Sequence, residues 1–341
     1  MVVSRVKPLQ ALPAELRAHL PAELRGRRRD GVRLMVIGRA ARTIEHADFA
    51  RLGSFLQAGD LLVVNRSRTI PAAFPARRDG GELVQLRICA RHKNEWHVLA
   101  VQPDPPHANV ALRAGERLRV DGADTIVRGR RTDVPLLWRI DTPSDGLERV
   151  LRTGEPIRYS YVPSPVPANH YQTVFATEPG SAETPSAGRA FSWELLLALK
   201  RAGIDLADIV LHTGLSSLQD DDVDADHPLF EEWFEVGPRA AEAVNRASRV
   251  IAVGTTVVRA LETAVAKGQV QPMQGWTRLR LGPGSPLQVV DGLLTGFHEP
   301  QASHFDLLRA FLDETLLERT YREAIAARYF WHEFGDLSLI L

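Results

Sequence analysis

The sequence predicts an α/β protein that carries a smaller antiparallel β domain within it, and three observations support that reading. Beyond residue 190, strand-like DIVLHTG, RVIAVG and LQVVDGLLTGF alternate with helical PRAAEAVNRAS, TTVVRALETAVAKG and FDLLRAFLDETLLERTYREAIAARYF, the alternation of α/β folds. Between about residues 82 and 142, ELVQLRI, EWHVLAV, ERLRV, TIVRGR and PLLWRI are instead short, β-branched and separated by Gly, Pro and Asp, as in a small antiparallel barrel or sandwich inserted as its own domain. A chain of 341 residues, 44% hydrophobic and 25% charged, has room for two cores.

Residues 31–65 alternate apolar runs with polar turns and end in GDLLVVN, a buried strand leaving a Gly-Asp turn. After the Pro-rich YVPSPVPANH, Leu195, Leu196 and Leu199 repeat at helical spacing, with Gly203 as the stop. The acidic DDDVDAD at 220–226 reads as a solvated loop beside His227. In RVIAVGTTVVRALE a buried strand runs through Gly254 into Thr255 and Thr256, which are expected to cap the next helix. Its free N–H groups and positive end suit an anion. Arg259 and Glu262 lie one and two turns further on, spaced to pair with each other or to face a ligand.

Composition excludes several functions. Cys89 is the single cysteine, so no internal disulfide or thiolate zinc site is expected, and the alternation of ELVQLRICA points it into a core. No apolar run approaches the roughly 20 residues of a membrane span and no signal pattern opens the chain, so a cytoplasmic protein with no membrane partner is expected. Neither a glycine-rich phosphate loop nor a dinucleotide fingerprint is present, which argues against kinases, dehydrogenases and conventional methyltransferases. Net charge is zero, yet residues 1–160 hold 28 basic against 18 acidic residues, and the remainder reverses the excess. Arg25, Arg27, Arg28 and Arg29, with Arg77 and Arg78, are therefore candidates for nucleic-acid contact, the alternative being solvated Arg-rich loops.

His212 and His298 stand where strands end, His227 follows the acidic loop, and Glu232 and Asp336 are candidate proton acceptors. His298 is the first choice of base, with Glu299 beside it to raise its basicity, and His212 is the second. His298 and His304 lack a third ligand at suitable spacing, so no metal is expected. Tyr329, Phe330, Trp331 and Phe334 form an aromatic cluster suited either to a core or to stacking on a base.

Taken in order, GDLLVVNRSRTIPA, YQTVFATEPG, PSAGRAF, VLHTG, RVIAVGTTVVRALE, VVDGLLTGFHEP and YFWHEFGDLS resemble the S-adenosylmethionine:tRNA ribosyltransferase-isomerase family of queuosine biosynthesis. The resemblance implies a distorted α/β main domain built from both chain ends, residues 1–67 and 156–341, and an inserted antiparallel β-barrel domain, residues 68–155. It implies transfer and isomerisation of the ribosyl moiety of S-adenosylmethionine (SAM) onto 7-aminomethyl-7-deazaguanine in tRNA, giving epoxyqueuosine and releasing adenine and methionine. SAM is then a substrate, and no metal or redox cofactor is implied. The sulfonium acidifies the C5′ protons, so such a site needs a base, a proton donor for adenine and exclusion of water.

Carried over position by position, the resemblance marks Asp60, Asn65 and Arg68 in the first block, Tyr171, Gln172 and Thr173 in the second, and Pro185 and Gly188 in the third. Gly214, His227, Gly254, Thr255, Thr256, Arg259, Glu262, Phe297 and Gly335 join them as substrate-binding candidates, and His298, His212, Glu232 and Asp336 as catalytic ones. Departures fall inside the same motifs. Ala190 and Phe230 stand where the family usually has histidines, Gly296 where it has Asn, and Val84 where it has Glu. These keep two alternatives open: a paralogue acting on SAM or a related nucleoside with a small-molecule acceptor, and a non-catalytic RNA- or nucleoside-binding protein.

Overall fold

A computed structural model describes residues 12–104, 107–159, 161–215, 230–300 and 302–341. Its strands are β1 (Arg33–Gly38), β2 (Thr43–Asp48), β3 (Asp60–Asn65) and β4 (Ser67–Thr69), then β5 (Ala73–Arg78), β6 (Leu83–Arg91), β7 (Glu95–Val101), β8 (Arg117–Val120), β9 (Ala123–Arg130) and β10 (Leu137–Asp141). Helix α1 (Gly146–Thr153), β11 (Glu178–Ser181), α2 (Trp193–Arg201), β12 (Asp205–Leu211), β13 (Glu232–Val236), α3 (Pro238–Arg246), β14 (Arg249–Val253) and α4 (Thr255–Thr263) follow. The chain continues through β15 (Val265–Ala266), β16 (Gln269–Val270), β17 (Met273–Thr277), β18 (Gly292–Gly296), α5 (Ser303–Leu308), α6 (Glu314–Ala326) and β19 (Leu337–Ile340).

Nine strands from both halves of the chain make one mixed sheet, in the order β17-β13-β12-β3-β14-β18-β19-β1-β2. Its centre is the parallel set β12, β3, β14 and β18. The unbroken apolar run of β3 follows from burial on both faces: Leu61 and Val63 enter one core, Leu62 and Val64 the other. Strands β5 to β10 close into a separate antiparallel barrel around Phe74, Leu86, Val98, Leu118 and Ile140. The expected α/β main domain with an inserted barrel is therefore the observed architecture. Among the described residues no helix is long and apolar enough to cross a membrane.

Three local expectations need correction. Thr255 and Thr256 do not cap α4 with their side chains; Gly254 is the N-cap, at φ +100°, a conformation open to glycine. The strand expected from Leu287 begins only at Gly292, because Glu262 takes the amides of Gln288, Val289 and Val290 at 2.9–3.1 Å and holds them out of the ladder. The long helix expected from Phe305 to Phe330 is two, since the Asp313 carboxylate accepts from the Leu316 amide at 3.0 Å and starts α6 afresh.

This topology positions the candidate residues. Parallel β12, β3, β14 and β18 end on one edge of the sheet, at Leu211, Asn65, Val253 and Gly296, and antiparallel β13 and β19 start there, at Glu232 and Leu337. Ligand sites of open α/β sheets lie along such an edge.

Candidate active site

Towards the β12–β13 end of this edge, the barrel and the sheet enclose a cavity of about 380 Å³, inside the roughly 300–1,000 Å³ range of small-molecule sites. Barrel residues from Ile88 to Lys93, with Trp96, face Glu178, Gly180, His212, Glu232, Trp233 and Trp276 of the sheet side. Gly214 is what lets the two domains approach here: a Cβ on it would lie 2.8 Å from the Cys89 carbonyl oxygen.

His212 is held from several sides. Its ring stacks on Trp233, with centroids 5.2 Å apart, and Gly180 covers it so closely that a Cβ there would fall 2.3 Å from ring atoms. Asn65 ties down the preceding residue, donating to the Leu211 carbonyl at 2.8 Å and accepting from its amide at 3.0 Å. Burial, with the charges of Arg91 and Arg66, lowers the imidazole pKa to about 4, so the ring is neutral at pH 7.

A buried relay fixes which ring nitrogen carries the proton. The Thr213 amide donates to Ser181 Oγ at 3.1 Å, Ser181 and Ser67 hydroxyls lie 2.6 Å apart, and Ser67 Oγ is 2.8 Å from His212 Nδ1. Both serines are fully buried. If Ser67 donated to Ser181, the Ser181 proton would have no acceptor among the described residues. The arrangement that satisfies every group runs from Thr213 through Ser181 and Ser67 to Nδ1, leaving the proton of His212 on Nε2.

Glu232 is the second cavity group from the expected catalytic set. It pairs with the Arg259 guanidinium and accepts from the Gly214 amide at 2.9 Å. Arg259, which the sequence offers as a partner for Glu262 or a ligand, is thus committed to Glu232 and to the Leu279 carbonyl at 3.0 Å, and Glu262 to the 288–290 amides. Arg91, Trp276 and Gly180 are cavity residues that sequence reasoning missed. His92 stacks on Trp276 at 4.2 Å, extending the aromatic wall.

Other expected residues fall elsewhere. His298 does not line this cavity; its Nε2 is 2.8 Å from Thr295 Oγ1, and its pKa is pushed well down by burial and by His304 and His332. Glu299 does not raise its basicity; it lies 3.5 Å from His332 instead. Asp336 is saturated, accepting from the Arg33 amide and guanidinium and from the Phe330 amide at 2.8–3.2 Å. Gly335 allows that loop to close, a Cβ there meeting the Phe330 carbonyl at 2.6 Å. Phe297 is core, packed on Tyr321, Tyr329 and Trp331, as are Tyr329, Trp331 and Phe334.

Asp60 lies at the opposite edge, bonded to Arg249 at 2.9 and 2.6 Å. Gln172 clamps both backbone groups of Thr69, Tyr171 packs on Phe334, and Thr173 touches Gly188, which follows Pro185 in a short turn. Arg68 is exposed on β4. Thr256 reaches Asn65 at 3.5 Å, and Gly254 packs on Ala187. His227 and the acidic 220–226 run lie outside the described residues. Of the basic candidates, Arg28, Arg29 and Arg78 pair with Asp30, Glu23 and Glu116, and Arg25 bonds the Phe334 carbonyl. Arg27 and Arg77 are exposed without an acidic partner among the described residues.

Among the described residues, one group has metal-ligand chemistry: His92, His97 and Glu231 bring their ligand atoms within 4.8 Å of one another. A cation already sits there, since Arg131 Nη1 lies 3.0 Å from His97 Nδ1 and 3.8 Å from Glu231, and His97 Nε2 bonds Glu95 at 3.1 Å. The cluster therefore reads as an Arg131 socket.

Comparison with known proteins agrees with this architecture. The family described as queuosine biosynthesis protein matches residues 10–340. A protein of Carboxydothermus hydrogenoformans named S-adenosylmethionine:tRNA ribosyltransferase-isomerase is 37% identical, over 97% of both chains. A Rubrobacter xylanophilus protein of the same name is also 37% identical, over 97% of this chain and 95% of its own. The crystal structure of the Thermotoga maritima S-adenosylmethionine tRNA ribosyltransferase superposes with a TM-score of 0.55 at 29% identity, covering 98% of this chain and 99% of that one. With a family match over nearly its whole length and relatives of this identity, the chain belongs to the S-adenosylmethionine:tRNA ribosyltransferase-isomerase family of queuosine biosynthesis proteins.

Proposed function

We propose that this protein transfers and isomerises the ribosyl moiety of SAM onto 7-aminomethyl-7-deazaguanine in tRNA, at the cavity between barrel and sheet. The observation that carries the assignment of the site is the meeting there of His212 and Glu232, each held by buried bonds, on the wall of a nucleoside-sized cavity. SAM supplies an acidic C5′ position and two leaving groups, adenine and methionine. The chain's own residues bind, orient and manage protons. The Trp276 and Trp233 rings offer faces for a base. His212 Nε2–H is a neutral, pre-oriented donor suited to a nitrogen of departing adenine, and a donor already in place requires no reorganisation during the reaction.

Glu232 is the proton acceptor in this reading. Arg259 and the Gly214 amide fix its carboxylate in place while leaving it lone pairs for a proton. The Asn65 and Ser67 bonds keep the Leu211–His212 backbone and ring from shifting, which matters because misplacement by about 1 Å costs on the order of 100-fold in rate. The exposed Arg27 and Arg77 are the candidates for tRNA phosphate contact, with Arg28, Arg29 and Arg78 reaching phosphate only by giving up carboxylate partners.

Incubation of the protein with SAM, with and without tRNA carrying the deazaguanine precursor, tests the function by mass spectrometry. Adenine and methionine released together with modified tRNA are expected. Release that needs no tRNA would favour a small-molecule acceptor, and no release with SAM bound would leave a binding protein.

A further inference from the structure

The cavity wall carries three carboxylates, Glu178, Glu231 and Glu232, and two cations, Arg91 and Lys93. Lys93 is exposed and its charge is satisfied by water. Arg91, the last residue of β6, is half-buried. Among the described residues its one side-chain polar contact is a long bond, 3.4 Å, from Nη2 to the Pro179 carbonyl, and it has no carboxylate partner there. The arginines behind the wall are paired: Arg259 with Glu232, Arg131 with Asp133 and His97, and Arg278 with Glu231. Burial lowers the pKa of Arg91 with no neighbouring acid to restore it, and its charge reaches His212 across the cavity. A planar guanidinium with its donors unfilled on a ligand cavity is a socket for a planar anion, met by two parallel N–H···O bonds.

We propose that Arg91 is the carboxylate-binding residue of this cavity, receiving the α-carboxylate of the methionine moiety of SAM. The inference rests on the reading of the cavity as the SAM site. The charge pattern supports a carboxylate over a phosphate. Methionine carries an ammonium and the sulfonium a second positive charge, and the wall carboxylates, each paired with an arginine (Glu178 with Arg66, Glu231 with Arg278, Glu232 with Arg259), still present acceptor oxygens to both, which a tRNA phosphate could not use. Glu178, on the same wall and 3.4 Å from Arg66, is the acid offered to the ammonium.

Affinities of the full chain for SAM and for decarboxylated SAM, measured by calorimetry with wild type, Arg91→Ala and Arg91→Lys, test the proposal. Wild type is expected to prefer SAM, and Arg91→Ala to lose roughly 10- to 100-fold in SAM affinity while binding decarboxylated SAM as wild type does, so that the preference disappears. Arg91→Lys should restore part of it. The carboxylate-free compound also reports folding, since a misfolded variant would lose both ligands. Equal affinity losses for both compounds in a variant with the wild-type unfolding transition, or no loss for either, would overturn the assignment. A loss confined to the KM for tRNA, with a shallower salt dependence, would give Arg91 to a phosphate instead. Failure of wild type to bind SAM would overturn the reading of the site itself, and with it this inference.

Discussion

The two ends of the sheet edge carry equally promising residues and differ in what those residues have left to offer. At the β12–β13 end, His212 and Glu232 are anchored on one side and open onto a cavity of about 380 Å³ on the other. At the β18–β19 end, Gly296, Gly335, Arg189 and Glu333 surround a void of about 10 Å³, and Asp336 spends its oxygens on Arg33 and Phe330. Arg189, where the family motif usually has the residue before its His, is buried against Glu23 at 2.6 Å and over the Phe334 ring. A group with every valence closed inside the fold holds structure; one with a valence left towards a cavity is available to a ligand. Motif membership does not separate the two.

The largest expected effect follows from that contrast. His212→Ala removes an oriented donor and should lower turnover by about 10²- to 10³-fold, and because it also takes the acceptor from the buried Ser67 hydroxyl it should lower folding stability by about 1–2 kcal/mol. His298→Ala, at the closed end, should leave turnover within a few-fold of wild type. Single-turnover assays on both variants measure the contrast, and equal losses would erase it.

Asp336→Ala should show the reverse pattern. It leaves the Phe330 and Arg33 amides without their acceptor and takes the carboxylate from the Arg33 guanidinium, which keeps the Ala327 and Arg328 carbonyls, so a loss of about 3 kcal/mol in folding stability is expected from denaturant titration. Affinity for SAM in the folded fraction should stay at the wild-type value. A change in SAM affinity without a change in stability would place Asp336 in the site.

Much of the fold was readable because it rests on local patterns. The doubly buried run Leu61–Val64, the alternating barrel segments and the Leu195, Leu196, Leu199 face each state their own burial. What failed locally was decided by distant partners: Glu262 captures the 288–290 amides from another element, which periodicity cannot reveal. The site divides in the same way. His212 and Glu232 were legible as polar groups at strand ends. Arg91 looks like one more surface charge in ARHKN, and Gly180 like an ordinary turn glycine, until the barrel is laid against the sheet. His298 is at a strand end too, but its bond to Thr295 depends on how the chain turns after β18.

The smallest effect concerns the proton on His212, and it sharpens the comparison by separating a held group from a merely buried one. Its pKa of about 4 lies below the ordinary 6.5, so the folded protein keeps the ring neutral where the unfolded chain would protonate it. The resulting stability is fully present above about pH 6.5 and is lost as pH falls towards about 4. Within that window the relay through Ser181 and Ser67 should keep the proton on Nε2. Ring nitrogen-15 spectra of histidine-labelled protein, with His212 assigned by its absence in His212→Ala, should show the Nε2-protonated pattern unchanged from pH 8 to 5.5. Ser67→Ala removes the donor to Nδ1, so both tautomers should become populated, and turnover should fall by no more than about tenfold, the worth of one neutral hydrogen bond. A wild-type ring protonated on Nδ1, or titrating near pH 6.5, would make His212 a base rather than a donor and exchange the roles given to it and Glu232.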